Sequence, residues 1–311
     1  MITIPNFFLV GAGKAGTTSL YHYLRQHPAI YMSPVKEPCY FADEIRAKNI
    51  GRAFLENLER QTRRHPELLG AGPIKPLAWI AQDWEDYLRL FRDARGQPAI
   101  GEATASYLWS STAAANIRRA IPHAKIIMML RDPAERALSQ YLHQLAAGYT
   151  RETFRRHLDR CLRDPHRELS IYYPFLEAGL YAAQVKRFLD LFPPQQVRIY
   201  WFEEAWRDPK LLLENLFTFL GVDPGLPIDT SRKYLERGAP RFPRAHHYLK
   251  RLAAPLRAAI PASLHSRLRR AAFAPAPSLT PADRQFLIDY YREDIHRLSQ
   301  LLSRDLTPWL A

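Results

Sequence analysis

Short apolar runs alternate along the chain with longer stretches in which apolar residues recur at helical spacing. The apolar runs predict buried strands at residues 7–10, 29–32, 99–101, 125–130 and 197–202. A helical pattern follows the first run, over residues 17–26. The last two runs lead into helices that open at Asp132-Pro133 and Asp208-Pro209. This alternation predicts an α/β fold, in which a mostly parallel central sheet is flanked by helices.

The C-terminal part of the chain departs from this alternation. Residues 232–270 contain eleven Lys or Arg, one acidic residue and four prolines, a composition that favours loops and short helices. Thr280-Pro281 then predicts the start of a helix over about residues 281–303. Because no long linker separates these parts, we predict a single domain over residues 1–311 with a basic insertion at about 232–270.

Composition narrows the class of protein and its partners. Apolar residues make up 47% of the 311 residues and charged residues 24%, which excludes disordered, collagen-like and disulfide-stapled chains. The net charge of +13 favours an anionic partner, such as a nucleotide, a sulfated or phosphorylated substrate, nucleic acid or a membrane surface. Two cysteines, with no signal peptide and no apolar run of about 18 residues, predict a cytoplasmic protein that touches membranes at most peripherally.

A glycine-rich turn between the first predicted strand and the first helix is the clearest candidate site. Its sequence, GAGKAGTTSL, places Lys14 among three glycines and puts hydroxyl groups at the helix start. Helix-start amides, an ammonium group and hydroxyl donors together favour a bound anion over a plain turn. The turn also satisfies the GxGxxG pattern of dinucleotide-binding folds, with Glu37 near the place of their ribose-binding acid. A nicotinamide-dependent oxidoreductase is therefore one open interpretation.

A second candidate anion site follows the strand predicted at residues 125–130. Arg131 ends this strand, and Ser139 lies two helical turns into the helix that begins at Pro133. A nucleoside triphosphatase would need a magnesium-binding Asp at the strand end and a Lys directly after the last glycine of the turn. Arg131 instead predicts a second anion site at the same sheet edge, and hence one ligand with two separated charges. A surface contact between Arg131 and Asp132 is the alternative.

Five motifs occur in order along nearly the whole chain: GAGKAGTTSL, KEPCYF, LRDPAERALSQY, RIYWFEEAWRDPKLLLENLFTFLGV and RDLTPWL. In this order they resemble the sulfotransferase family that uses 3′-phosphoadenosine-5′-phosphosulfate (PAPS), especially its bacterial and glycan-type branch, which includes heparan sulfate sulfotransferases. The resemblance implies a P-loop-like fold and transfer of a sulfuryl group from PAPS to a hydroxyl or amine. The acceptor would be a glycan, a lipid or another small molecule, and neither a metal nor nucleic acid would be needed.

The resemblance also implies the roles of individual residues. The turn would bind the 5′-phosphosulfate, the second site the 3′-phosphate, and a late basic loop would close over them; these residues are Lys14, Ala15, Gly16, Thr17, Thr18, Ser19, Arg131, Ser139, Arg237 and Gly238. Glu37 would be the catalytic base, and Lys14 would also stabilise the leaving phosphate oxygen. We expect Lys36, Glu102 and Tyr107 to contact the acceptor, although a buried ion pair between Glu102 and an Arg is an alternative.

Two other classes of function stay open at this point. An oxidoreductase would leave Arg131, Ser139 and the Lys14 cluster without roles. A non-enzymatic binder of nucleic acid or of another anionic surface would use residues 232–270, and its affinity would fall steeply with salt.

Overall fold

Five parallel strands form the central sheet of the protein, a computed structural model that describes residues 3–45, 81, 83–147, 149–163, 174–231, 238–240, 273–275 and 277–311. The strands are β1 (Phe7–Gly11), β2 (Ile30–Met32), β3 (Ala99–Ala103), β4 (Lys125–Leu130) and β5 (Val197–Trp201). Their order across the sheet is β2-β3-β1-β4-β5, so the two strands that lead into the predicted anion sites, β1 and β4, are neighbours. The predicted α/β fold with a parallel sheet is confirmed.

Helices connect and cover these strands. They are α1 (Thr17–Leu24), α2 (Trp84–Arg89), α3 (Ala113–Ala120), α4 (Pro133–Ala147), α5 (Phe154–Arg163), α6 (Tyr181–Leu191), α7 (Phe202–Ala205), α8 (Pro209–Leu220) and α9 (Pro281–Leu302). The last of these occupies the range predicted for the C-terminal helix. A separate antiparallel pair, β6 (Gly238–Pro240) and β7 (Phe273–Pro275), lies within and just after the basic insertion, most of which falls outside the described residues.

Side-chain caps begin the helices that the sequence predicted from Asp-Pro and Thr-Pro pairs. Asp132 accepts hydrogen bonds from the Ala134 and Glu135 amides at the start of α4. Asp208 and Thr280 cap α8 and α9 in the same way. Asp132 also accepts a 2.6 Å hydrogen bond from Arg284 of α9, so it joins two helices and is not the partner of Arg131 that the alternative interpretation supposed.

Burial explains why the strand sequences are continuous apolar runs. Every residue of β1 and β3 is buried, and so is β4 beyond its first residue, because helices cover both faces of the sheet. Only at the edge strand β5 are most residues partly exposed or exposed. The carboxyl ends of β1, β3 and β4 therefore meet at one edge of the sheet, where loops carry the candidate site.

Candidate active site

The glycine-rich turn runs from the end of β1 to the start of α1. Gly16 has a φ of 87°, and a Cβ atom there would lie 2.7 Å from the indole of Trp206. Both the backbone conformation and the close packing therefore require glycine. Lys14 also has a positive φ, 70°, a conformation that costs energy and recurs at binding loops. Thr17 and Ser19 are buried at the helix start.

Lys14 lies in a surplus of positive charge. Burial and the neighbouring charges of Lys36, Arg131 and Arg136 together lower the pKa of its ammonium group to about 8, against the opposing effect of the Glu37 carboxylate. The three cations that act on Lys14 outnumber the one carboxylate that does so, and the charge around its ammonium group is therefore positive. A bound anion would supply the missing negative charge.

Arg131 joins the second predicted anion site to the turn. Its Nη1 donates a 3.1 Å hydrogen bond to the Lys14 carbonyl oxygen, and its guanidinium carbon lies 4.2 Å from the centre of the Phe202 ring. Its Nη2 is 3.5 Å from a carboxylate oxygen of Glu135. The Arg131 Nε is buried and has no hydrogen-bond partner among the residues that the structure describes. Such an orphaned donor, beside Lys14, suits a phosphate oxygen.

Of the remaining predicted phosphate ligands, the structure describes Ser139 and Gly238 but not Arg237. Ser139 is buried on α4, one turn beyond Glu135 and therefore on the same helix face. Gly238 begins β6, which packs against α4. Arg237 lies outside the described residues. The chain segment proposed to close over the cofactor thus approaches the helix that carries Ser139.

Glu37 follows β2 in the sequence and lies beside the carboxyl end of β3. Its amide donates to the Ala103 carbonyl oxygen at 2.9 Å, and its Oε2 accepts a 2.8 Å hydrogen bond from the Ala105 amide. Its Oε1 pairs with the Lys36 ammonium group. The side chain is 14% exposed, so the carboxylate is held firmly but reaches solvent. Since its charge acts on Lys14, the predicted base and the predicted leaving-group stabiliser occupy the same region.

Glu102 and Tyr107 lie in the core, and the prediction that they contact the acceptor is corrected here. Both residues are 0% exposed, so a substrate has no surface of either to bind in this conformation. Strand β3 continues through Ala103, two residues beyond its predicted end, which places Glu102 inside the strand. Within the described part of the chain its hydrogen-bond partners are hydroxyl groups of Tyr87, Thr104 and Tyr107, and not the Arg of the alternative interpretation.

Two aromatic residues at this edge were not predicted as part of the site. Phe202 stacks on Arg131, and Trp206 packs over Gly16 with a buried Nε1 that has no hydrogen-bond partner within the described part of the chain. In the sequence they belong to the aromatic-rich run of residues 200–206, for which the apolar pattern alone predicts core positions. Their position directly after β5, at the carboxyl edge of a parallel sheet, is the signal that would have placed them near the turn.

Comparison with known proteins identifies the family of this chain. The sequence model of the sulfotransferase family matches residues 5–224, and the chain belongs to that family. The solved structure of a sulfotransferase from Alicyclobacillus acidocaldarius has a TM-score of 0.71 and 31% identity, and the match covers 100% of both chains. The predicted family and the P-loop-like fold are thus confirmed, and membership of this family favours a sulfotransferase over the oxidoreductase and the non-enzymatic binder.

Curated relatives share the same family but are longer. Human carbohydrate sulfotransferase 15 is 25% identical over 98% of this chain and 54% of its own length. The bifunctional heparan sulfate N-deacetylase/N-sulfotransferase 2 of Bos taurus is 26% identical over 97% of this chain and 30% of its own length. The chain thus spans about half or less of the length of these relatives.

The expected cytoplasmic location is corrected by the same comparison. A membrane-associated sulfotransferase of Dictyostelium discoideum is 32% identical over 45% of this chain and 23% of its own length. The prediction rested partly on the small number of cysteines, but two buried, free cysteines show only that this chain does not use disulfides. In the described ranges, no helix has the length and apolar character needed to cross a membrane.

Proposed function

We propose that this chain transfers a sulfuryl group from PAPS to a hydroxyl or amine of a carbohydrate acceptor. The observation that carries the proposal is the cation cluster at the ends of β1 and β4, in which Arg131 bonds the Lys14 carbonyl and keeps an unpaired, buried Nε. PAPS has two separated anionic groups, and the turn and Arg131 offer two adjoining sets of donors. The excess of positive charge around Lys14 fits such a donor.

The residues that would hold the donor divide between the two sites. The 5′-phosphosulfate would be held by the Lys14 ammonium group, the amides that open α1, and the hydroxyls of Thr17, Thr18 and Ser19. Arg131 and Ser139 would hold the 3′-phosphate, and Arg237-Gly238 would cover it. Arg131 bonds the turn directly, so a shift of the donors at one site would displace the donors at the other.

The chain's own groups account for the chemical requirements of the transfer. PAPS, when bound, supplies a sulfuryl group on a phosphate that leaves with increased negative charge. The Lys14 ammonium group stabilises this charge more strongly as it develops. The Glu37 carboxylate takes the proton from the acceptor hydroxyl or amine, and the Ala105 amide and Lys36 keep it oriented for this task. The Lys36 ammonium group, which pairs with Glu37, is the residue that we propose contacts the acceptor.

A carbohydrate is the acceptor class that the relatives favour. One relative is named a carbohydrate sulfotransferase, and another carries heparan sulfate in its name. Residues 232–270 contribute eleven basic residues against one acidic residue, a charge that would attract an anionic polysaccharide. We therefore place sulfated or uronic-acid-containing glycans first among acceptors, with lipids and small phenols as comparison compounds.

Transfer of radiolabelled sulfate from PAPS tests the proposal directly. We expect label to enter an anionic glycan, and we expect 3′-phosphoadenosine-5′-phosphate to raise the melting temperature of the protein where NAD and an oligonucleotide do not. Stabilisation by NAD alone, or label that enters none of the glycans, lipids and phenols, would contradict the proposal.

Arg131→Ala should weaken the binding of 3′-phosphoadenosine-5′-phosphate by about 10- to 150-fold, since a charge-assisted hydrogen bond contributes about 1.5–3 kcal/mol. The affinity for adenosine 5′-phosphate, which lacks the 3′-phosphate, should change much less. Calorimetric titration with both nucleotides measures the difference. An equal loss for the two nucleotides would mean that Arg131 acts only by holding the Lys14 carbonyl.

Affinity for 3′-phosphoadenosine-5′-phosphate should fall as the pH rises above about 8. Burial and neighbouring cations lower the pKa of Lys14 to about 8 in the free protein, and a bound phosphate would raise it. The complex then holds more protons than its separated components, so proton uptake accompanies binding and the affinity decreases by up to about tenfold per pH unit. Titration in buffers with different ionisation enthalpies detects this uptake. Lys14→Arg, which stays charged, should flatten the dependence, and an unchanged slope would assign it to another group.

A further inference from the structure

A buried carboxylate contacts the turn that holds Glu37. Thr104 Oγ1 donates a 2.5 Å hydrogen bond to Glu102 Oε2. The next residue, Ala105, donates its amide to Glu37 Oε2 at 2.8 Å, and the preceding residue, Ala103, accepts the Glu37 amide at 2.9 Å. The two hydrogen bonds that orient Glu37 thus flank the residue that Glu102 binds.

The same carboxylate also reaches the segment that follows Glu37. Tyr107 donates its hydroxyl to Glu102 Oε1 at 2.9 Å, and the Tyr107 oxygen accepts a 3.3 Å hydrogen bond from the Phe41 amide. Tyr87 of α2 donates to the same Glu102 oxygen at 3.0 Å. Glu102 therefore ties together the turn after β3, the segment after Glu37 and helix α2.

Burial of this carboxylate carries a desolvation cost, which its hydrogen bonds offset in part. Its partners in the described part of the chain are three neutral hydroxyls, with no cation in hydrogen-bond contact. The pKa of Glu102 is raised to about 7, because burial and the nearby Glu37 charge raise it by more than the three hydroxyl donors lower it. An apolar side chain would avoid this desolvation penalty but would leave the hydroxyl groups of Tyr87, Thr104 and Tyr107 without this acceptor. What a glutamate adds is a geometry fixed by three directed hydrogen bonds.

We infer that Glu102 is a positioning residue, which orients the Glu37 carboxylate by fixing the 103–107 turn and the segment that leads to Phe41. The inference rests on the proposed function, in which Glu37 takes the acceptor's proton. A proton acceptor loses efficiency when it moves by a fraction of an ångström, so its support is part of the site. The role assigned to Glu102 replaces the acceptor contact that the sequence predicted for it.

A double-mutant cycle tests whether Glu102 acts through Glu37. Glu102→Gln turns one carboxylate oxygen into a donor, so at least one hydroxyl loses its acceptor. We expect this variant to lower the single-turnover rate by about 10- to 100-fold, with unchanged affinity for 3′-phosphoadenosine-5′-phosphate. In a Glu37→Gln background the same substitution should have almost no further effect. A fall in the single-turnover rate by the same factor in both backgrounds would overturn the inference. Independent effects multiply, so an equal fall would mean that Glu102→Gln damages the structure without acting through Glu37.

Two further variants and one structure complete the test. Glu44→Gln is the matched control: Glu44 accepts hydrogen bonds from the hydroxyls of Ser110 and Ser111 but lies outside the proposed site, so it should lower the melting temperature without lowering the rate. Thr104→Val removes only the bond at the turn and replaces Glu102→Gln if that variant does not fold. A crystal structure of the folded variant should show the contact between Ala105 and Glu37 lengthened or lost. An intact contact in the variant would overturn the inference. If the contact is lost in the variant but the unmodified protein transfers no sulfate, the result counts against the proposed function alone.

Discussion

Lys14→Ala is expected to lower the rate of sulfuryl transfer by about 10²- to 10³-fold, which is the usual effect of removing one group that stabilises developing charge. The ammonium group sits in a turn among Lys36, Arg131 and Arg136, which already favour an anion. Its loss should therefore cost more in the transition state than in the bound ground state. Single-turnover rates at saturating PAPS, with the PAPS dissociation constant measured separately, distinguish the two.

Lys125→Ala is the matched control for this variant. Lys125 is also a partly buried lysine, but it begins β4 and donates to the Leu220 carbonyl, at the sheet edge opposite to the turn. Its removal should leave the transfer rate unchanged. A Lys14→Ala enzyme that transfers sulfate at a rate close to the original one would show that charge on the leaving phosphate is neutralised by another residue.

Glu37→Gln should reduce turnover by about 10²- to 10⁴-fold, because the amide keeps the shape of the side chain but cannot take the acceptor's proton. The hydrogen bond from the Ala105 amide can persist, since the Gln carbonyl oxygen accepts in place of the carboxylate oxygen. We therefore expect little change in the affinity for 3′-phosphoadenosine-5′-phosphate. The measurement is the single-turnover rate as a function of pH, together with a calorimetric titration of the nucleotide.

Glu293→Gln controls for the loss of a paired glutamate. Glu293 forms an ion pair with Arg297 on the exposed face of α9, and its replacement should alter neither the rate nor the affinity. If Glu37→Gln lowers nucleotide affinity as strongly as it lowers the rate, Glu37 serves the donor site and another group takes the proton.

Local chemistry made much of the fold and part of the site predictable. The apolar runs mark β1, β3 and β4 because a sheet covered on both faces needs continuous apolar strands. The Asp-Pro and Thr-Pro pairs mark helix starts because each cap is satisfied within three residues of the chain. Lys14 among glycines identified the turn, since the features that suit it to an anion are adjacent in sequence.

The environment of Glu102 could not be predicted from the local sequence. The segment GEATASY, residues 101–107, places a glutamate and a tyrosine five residues apart near a strand end, a pattern that is compatible with either a cleft or the core. The choice depended on where β3 stops and on Tyr87, which is fifteen residues away and reaches Glu102 only through tertiary packing. Phe202 and Trp206 were assigned to the core for the same reason, because their contacts with Arg131 and Gly16 join distant parts of the chain.

The sequence by itself determined the strands, the capped helices, the glycine-rich turn and the family to which its motifs belong, because each depends on neighbouring residues or on their order. Only the tertiary structure decided that Arg131 bonds the Lys14 carbonyl, that the Ala105 amide bonds the Glu37 carboxylate, and that Glu102 is buried against the turn after β3. These contacts join segments that are far apart in sequence, and their partners are selected by strand order and packing, which no local pattern encodes.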